Sequence, residues 1–136
     1  HIHFKIVRQI MKINTFDIDG VIYFGENHTG VRPHPIDIIV TGRSFQQEEE
    51  TEKMLEKFEI RNRVMYNPLE RNDPKYSRKA SGQHKAQTLK MLQDHHDYQI
   101  GFHFEDDPIQ IEEIKKVLPN LNIVHLVRES EEHVKY

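Results

Sequence analysis

The sequence contains no cysteine, which excludes disulfides and thiolate-ligated zinc sites. It has no apolar run long enough to cross a bilayer and no segment laid out like a secretory signal, so we expect a cytoplasmic protein. The formal net charge is only -3, which by itself indicates neither a nucleic-acid nor a membrane partner. What remains is 136 residues with 36% hydrophobic and 30% charged side chains, as expected for one globular domain.

Apolar runs alternate with helical patterns along the chain, which predicts an α/β fold. The apolar runs predict five strands, over residues 12–19, 36–42, 63–68, 101–107 and 122–127. The helical patterns cover residues 44–58, 83–96 and 108–118, with a polar, turn-rich loop at 69–82. We expect a three-layer Rossmann-like domain over residues 12–136, with a mainly parallel five-stranded sheet and helices on both faces. Residues 1–11 are either an extension or an edge strand, because apolar side chains alternate there.

The stretch TFDIDGVIY places Asp17 and Asp19 at the end of an apolar run and follows them with Gly20. Strand interiors disfavour both residue types. Two carboxylates beside buried residues repel each other and lose solvation. A bound divalent cation would offset both costs.

Other polar residues stand at the ends of other predicted strands. The second strand ends in Thr41, Gly42 and Arg43, and the fourth ends in Glu105, Asp106 and Asp107. In an open α/β sheet, ligands bind beyond the carboxyl ends of the strands, so we expect these residues to meet there. A cluster of acidic oxygens favours a hard cation, and Mg²⁺ with a substrate phosphate is the usual outcome.

In these motifs the chain resembles the haloacid dehalogenase-like (HAD) phosphohydrolase superfamily over residues 12–127. The first motif is the strand that ends Asp17-Ile18-Asp19-Gly20-Val21-Ile22, and the second is IIVTGR with Thr41. The third is a lysine ahead of the fourth strand, and the fourth is the acidic pair in FEDD. The resemblance implies a HAD-like fold and a Mg²⁺-dependent phosphatase.

The resemblance also implies roles for the acidic residues. Asp17 would be the nucleophile that forms an aspartyl-phosphate, and Asp19 would be the general acid and then the general base. The metal would be held by Asp17, by the main-chain carbonyl of Asp19, and by Asp106 or Asp107.

The remaining roles concern the substrate phosphate. The Thr41 hydroxyl and nearby backbone N–H groups, at Gly20 and Gly42, would hold phosphoryl oxygens. A lysine would neutralise the remaining charge. Lys85 occupies the family's position, but Lys79, in the predicted loop, could reach the same point. Arg43 either contacts the substrate phosphate or faces water.

The substrate class depends on two further features. Neither residues 20–35 nor residues 59–82 leave room for a cap domain, so the site is expected to be open or closed by a second chain in an oligomer. Residues 61–90 carry eight basic and two acidic side chains, interleaved with Tyr66 and Tyr76, either of which could stack on a base. This interval is similar to that in the phosphatase domain of polynucleotide kinase-phosphatases, which implies a nucleic-acid or nucleotide phosphate end as substrate.

Two alternatives remain open from the sequence. One is a small-molecule phosphatase, such as a nucleotidase or a sugar phosphatase, that oligomerises to cover its site. The other is a HAD-like binding module that keeps Mg²⁺ and phosphate binding without turnover. The presence of Asp19 argues against the module, because family members that lack this second aspartate generally cannot hydrolyse the intermediate.

Overall fold

The structure, a computed structural model, describes residues 2, 10–25, 30–95 and 97–127. These residues form five strands: β1 (Met11–Phe16), β2 (Ile38–Ser44), β3 (Val64–Asn67), β4 (Tyr98–Glu105) and β5 (Ile123–His125). They also form three α-helices, α1 (Glu48–Lys57), α2 (Arg78–His95) and α3 (Pro108–Val117), with a 3₁₀ turn at Phe45–Gln47 before α1. Most of the predicted N-terminal extension lies outside the described residues, so its two alternatives stay open.

The five strands form one sheet in the order β3-β2-β1-β4-β5, and each neighbouring pair runs parallel. The predicted parallel sheet is therefore confirmed. The chain builds β2 and β3 outward on one side of β1 and then returns to place β4 and β5 on the other side. Such a reversal of strand order leaves a crevice outside the carboxyl ends of the two central strands, here β1 and β4.

Helices cover both faces of the sheet, each over its own apolar cluster. On one face, Leu89 of α2 and Ile114 of α3 pack with Val40 of β2. On the other face, Leu55 of α1 packs with Ile39 of the same strand. Burial of each such side chain contributes about 1.5–3 kcal/mol. Strand side chains alternate between the two faces of the sheet. Val40 of β2 therefore points towards α2, and its neighbour Ile39 points towards α1.

The chain leaves β1 in a tight turn, sooner than predicted. The strand ends at Phe16, and the N–H groups of residues 21–23 all bond to the carbonyl of Ile18. Asp17 therefore lies just beyond the strand, where its N–H still bonds to Phe104 of β4, and Asp19 lies within the turn. Farther on, the N–H groups of residues 30 and 31 donate to the carbonyls of residues 22 and 21.

Helix α2 begins at Arg78, earlier than the predicted start at residue 83. The missed signal is Ser77, whose hydroxyl accepts a hydrogen bond from the Ala80 N–H at 2.9 Å, as an N-capping residue does. Gly82 suggested a loop, but a Cβ at this position would lie 2.8 Å from the Cα of Gln110 in α3. The glycine therefore permits close packing of α2 on α3. Across the described ranges, none of the helices is long and apolar enough to span a membrane.

Candidate active site

Asp17 lies at the carboxyl end of β1 and is almost completely buried. Its Oδ1 accepts a hydrogen bond from the Ile18 N–H at 2.8 Å and lies 3.1 Å from Nζ of Lys85. Burial raises the pKa of Asp17, and the nearby charge of Glu105 raises it further, whereas Lys85 opposes both effects. The carboxyl group is thus held in one orientation next to a single cation.

Lys85 projects from α2 into the crevice, where its side chain is 1% exposed. Besides Asp17 it contacts Glu105, the last residue of β4, with Nζ 2.7 Å from Oε1. Burial works to lower the pKa of Lys85, but the two carboxylates outweigh it and raise that pKa. Burial likewise works to raise the pKa of Glu105, yet Lys85 and His103 hold it below its ordinary value. The lysine is therefore an ammonium shared by two buried carboxylates.

Asp17, Glu105 and Asp106 each offer a carboxylate oxygen within one group whose atoms all lie within 4.8 Å of one another. With all three carboxyl groups ionised, they would leave two negative charges in excess over the ammonium of Lys85, and the raised pKa values of Asp17 and Asp106 reflect burial and the cost of that excess. Burial, followed by the charge of Glu105, raises the pKa of Asp106 to about 7. Such a donor set of hard oxygens fits a divalent cation such as Mg²⁺, whose charge would balance the excess.

Gly20 brings the turn after β1 against Asp106. Its φ is +81°, a conformation that favours glycine. A Cβ at residue 20 would lie 2.0 Å from Oδ2 of Asp106. The glycine therefore supplies both the turn and the space that the Asp106 carboxylate occupies.

Asp19 forms a two-point ion pair with Arg43. Nε and Nη2 of Arg43 donate to the two Asp19 oxygens at 2.9 and 2.7 Å. The guanidinium also donates to Oγ1 of Thr51 at 3.1 Å and lies over the ring of Tyr23, 5.7 Å from its centroid. Arg43 thus faces the site and is paired with Asp19, and because its side chain is buried the water-facing alternative is wrong.

Thr41 and Gly42 lie at the end of β2, beside the Lys85 side chain. Thr41 is completely buried, and its hydroxyl accepts a hydrogen bond from the Arg43 N–H at 3.0 Å. A Cβ on Gly42 would lie 3.5 Å from Ser81 and 4.0 Å from Cε of Lys85. Thr41 therefore helps to fix the backbone near the end of β2, which carries Arg43 towards Asp19.

The structure places two sequence-predicted residues away from this group. Asp107 accepts a hydrogen bond from the Ile109 N–H at 2.9 Å, which caps α3, and it receives two bonds of 2.8 Å from Arg78. Its side chain does not belong to the carboxylate group of Asp17. Lys79 is exposed in the first turn of α2, so of the two candidate lysines it is Lys85 that contacts Asp17.

Sequence reasoning missed a buried layer beneath the site. The ring of His103 lies 2.8 Å from the Thr15 hydroxyl through Nδ1 and 3.4 Å from Oε1 of Glu105 through Nε2. Burial lowers the pKa of His103, and since a carboxylate only accepts, the neutral ring carries its proton on Nε2. The sequence feature that could have revealed this layer is the alternation of side chains in β4, which places residues 103 and 105 on the face that α2 covers. Glu105 was noted among the acidic residues, but the metal role was assigned to its two successors.

No family model matches the chain, and no curated protein matches it. Its fold is similar to chains in two solved structures, one of a Pnkp1/Rnl/Hen1 complex and one of the Pnkp1/Rnl/Hen1 RNA repair complex. The TM-scores are 0.61 and 0.63, each at 15% sequence identity. The similarity covers 87% of this chain but only 46% and 43% of the matched chains. At this identity the similarity establishes the fold, and the chain spans less than half the length of the chains it matches.

Proposed function

We propose that this chain is a Mg²⁺-dependent phosphomonoester hydrolase of the HAD type that works through an aspartyl-phosphate and acts on nucleic-acid ends. The observation that carries the proposal is the convergence of Asp17, Lys85, Glu105 and Asp106 in one group. These four residues come from the β1 turn, from α2 and from the end of β4. They supply a nucleophile, a fixed cation and hard metal ligands at the switch point of the sheet, where ligands bind in this fold class.

Asp17 is the nucleophile. Its Oδ1 is fixed by the Ile18 N–H and by Lys85, so the carboxyl group does not rotate away from an incoming phosphorus atom. Attack forms a bond from a carboxylate oxygen of Asp17 to phosphorus and breaks the bond to the ester oxygen. Water then hydrolyses the acyl-phosphate, which divides one difficult displacement into two easier ones.

Lys85 and the metal site reduce the repulsion between Asp17 and a phosphate dianion. Lys85 keeps its charge because two carboxylates surround it. Asp17, Glu105 and Asp106 are the residues that would hold Mg²⁺, which supplies charge neutralisation at the transferring oxygens. Glu105 replaces Asp107 in this set, because Asp107 is engaged by α3 and by Arg78.

Asp19 is the general acid for the leaving group and the base for water. In this structure each Asp19 oxygen already accepts a hydrogen bond from Arg43. A substrate phosphate gives the guanidinium a second anionic partner. Movement of Arg43 from Asp19 to the phosphate then frees the carboxylate for proton transfer, so the acid becomes competent only when substrate is bound.

The nucleic-acid substrate is supported by charge and by fold. Arg71 and Lys75 lie exposed on the segment that leads into α2, and Lys79 lies exposed in the first turn of that helix; basic residues of this kind attract phosphates. The structurally similar chains belong to an RNA repair complex. A site that hydrolyses phosphomonoesters would, on a nucleic-acid substrate, remove the phosphate from a strand end.

The experiment measures phosphate release from an aryl phosphate and from a 3′-phosphorylated oligonucleotide, with Mg²⁺ and with chelator. Release is expected from the wild-type chain with Mg²⁺, and none from Asp17→Asn, which keeps the shape of the side chain but lacks the nucleophile. Asp106→Asn and Asp107→Asn form a matched pair: the first is expected to raise the Mg²⁺ requirement and the second to leave it unchanged. Steady-state turnover by Asp17→Asn, or release that persists in chelator, would refute the proposal.

A further inference from the structure

A groove of about 470 Å³ lies at the β3 edge of the sheet. It is lined by β3, by α2 and by the 3₁₀ turn that follows β2. Apolar side chains form most of its surface, with Arg63, His84 and Thr88 among the polar ones. None of the residues that line it is an aspartate or a glutamate.

Two of the residues that line the groove are close in sequence to residues of the candidate active site. Phe45 comes two residues after Arg43, and because extended backbone advances about 3.3 Å per residue, their backbones are no more than about 7 Å apart. His84, in the α2 wall, immediately precedes Lys85. The group attached to a phosphate near Arg43 therefore lies within reach of Phe45.

Phe45 offers an unusually open aromatic surface at this junction. Its side chain is 58% exposed, and its ring contacts the ring of Tyr66 with 5.6 Å between centroids. Tyr66, one of the two tyrosines that the sequence offers for stacking on a base, is buried, and its hydroxyl bonds to Glu52 at 2.9 Å. Tyr66 thus supports the Phe45 ring, and Phe45 presents the free face.

Charge indicates how a strand would approach this surface. Glu48, Glu49 and Glu50 begin α1 just after Phe45 and would repel phosphates on that side. The groove itself carries Arg63 and no carboxylate, and Arg71 and Lys75 lie exposed on the loop that follows β3. A phosphate backbone is therefore directed away from α1 and over the basic loop, with its base turned towards the aromatic ring.

We propose that this groove binds the base of the nucleotide that carries the phosphate, with Phe45 as its stacking surface. Aromatic side chains hold bases in this way with little dependence on sequence, because each base has a π-face. The inference rests on the proposed function and adds to it the part of the substrate that the protein recognises beyond the phosphate.

The test uses three phosphate esters: a 3′-phosphorylated oligonucleotide, the same oligonucleotide with an abasic terminal nucleotide, and an aryl phosphate. Phe45→Ala is expected to raise KM for the first substrate about 5- to 150-fold, the range for loss of one base–aromatic stack. KM for the abasic substrate and kcat for the aryl phosphate should stay unchanged. Phe45→Tyr should restore the KM for the first substrate.

Phe102→Ala is the matched control, because Phe102 is also an exposed phenylalanine, at 46%, but belongs to β4. It should leave all three substrates unaffected. Equal KM values for the intact and abasic oligonucleotides in the wild-type chain would overturn the inference, and so would an equal effect of Phe45→Ala on all three substrates. If the wild-type chain hydrolyses none of them, the proposed function fails, and fluorescence anisotropy still decides the groove: Phe45→Ala must then weaken binding of the intact oligonucleotide but not of the abasic one.

Discussion

Substitution of Gly20 by alanine tests whether the turn after β1 must leave space for the Asp106 carboxylate. The added Cβ would meet three atoms of the Asp106 side chain, Oδ2 at 2.0 Å, Cγ at 2.4 Å and Cβ at 3.1 Å. Non-bonded carbon and oxygen atoms do not approach so closely, so the carboxylate must retreat by about 1 Å or more. The end of the aspartate side chain can rotate, so the chain should still fold with the carboxylate displaced.

Two separate effects are expected from Gly20→Ala. The positive φ of residue 20 costs about 1–2 kcal/mol for an L-residue with a side chain, which for a domain of this size lowers Tm by about 3–10 °C. Displacement of Asp106 should weaken Mg²⁺-dependent turnover about 10²-fold, the usual cost of a 1 Å misplacement in a catalytic site. Thermal unfolding and Mg²⁺ titration of phosphate release measure the two effects independently.

Gly25→Ala provides the control for the backbone effect. Gly25 also has a positive φ, of +128°, but a Cβ there would meet no atom of the described residues within 4 Å. This variant should lose stability by a similar amount and keep its Mg²⁺ requirement. If Gly20→Ala and Gly25→Ala have the same Mg²⁺ requirement, then Asp106 does not lie at the metal site, and the reasoning is wrong.

Two further predictions concern charge in the buried group. Lys85→Met leaves two buried carboxylates without a cation and should lower the free energy of unfolding by about 3–5 kcal/mol at neutral pH; denaturant titrations at lower pH should show a smaller loss, because protonation of Asp17 and Glu105 removes the uncompensated charge, and a loss independent of pH would contradict this account. Asp106 has a folded-state pKa of about 7, above its ordinary value, so the folded state binds this proton more tightly and the contribution of Asp106 to stability falls as pH rises towards 7. Measured without Mg²⁺, the free energy of unfolding of the wild-type chain relative to Asp106→Asn should therefore decrease between the ordinary pKa of an aspartate, about 4, and about 7. The apparent Mg²⁺ affinity should increase over the same range, because the competing proton leaves. A difference between the two chains that does not change with pH would show that the pKa of Asp106 is not raised.

The layered fold was accessible to prediction because its signals are local. Each strand is a short apolar run, and each helix has its own apolar face, so strand and helix order could be read without knowing any long-range contact. The largest error, at the start of α2, came from Ser77 and Gly82. Both residue types are common in loops, and only the packing of α2 on α3 shows that Gly82 belongs in a helix.

The candidate site was predictable in outline for the same reason. Asp17, Thr41 and the acidic residues after β4 each stand at the end of an apolar run, and parallel strands bring such ends to one edge. Choices between neighbouring residues were not predictable. Asp107 was a plausible metal ligand from its position, but the free N–H groups at the start of α3 compete for it, and the Ile109 N–H and Arg78 occupy its oxygens.

The residue types available at this edge of the sheet, namely carboxylates, a threonine, an arginine and a lysine, follow from local sequence alone. The folded chain selects which of them meet. It placed Glu105 and Lys85 next to Asp17, paired Arg43 with Asp19, and left Phe45 exposed where Tyr66 is buried. The physical reason is that residue identity and strand alternation are local properties, whereas the orientation of a side chain depends on partners from distant parts of the chain that compete for its charge and its surface.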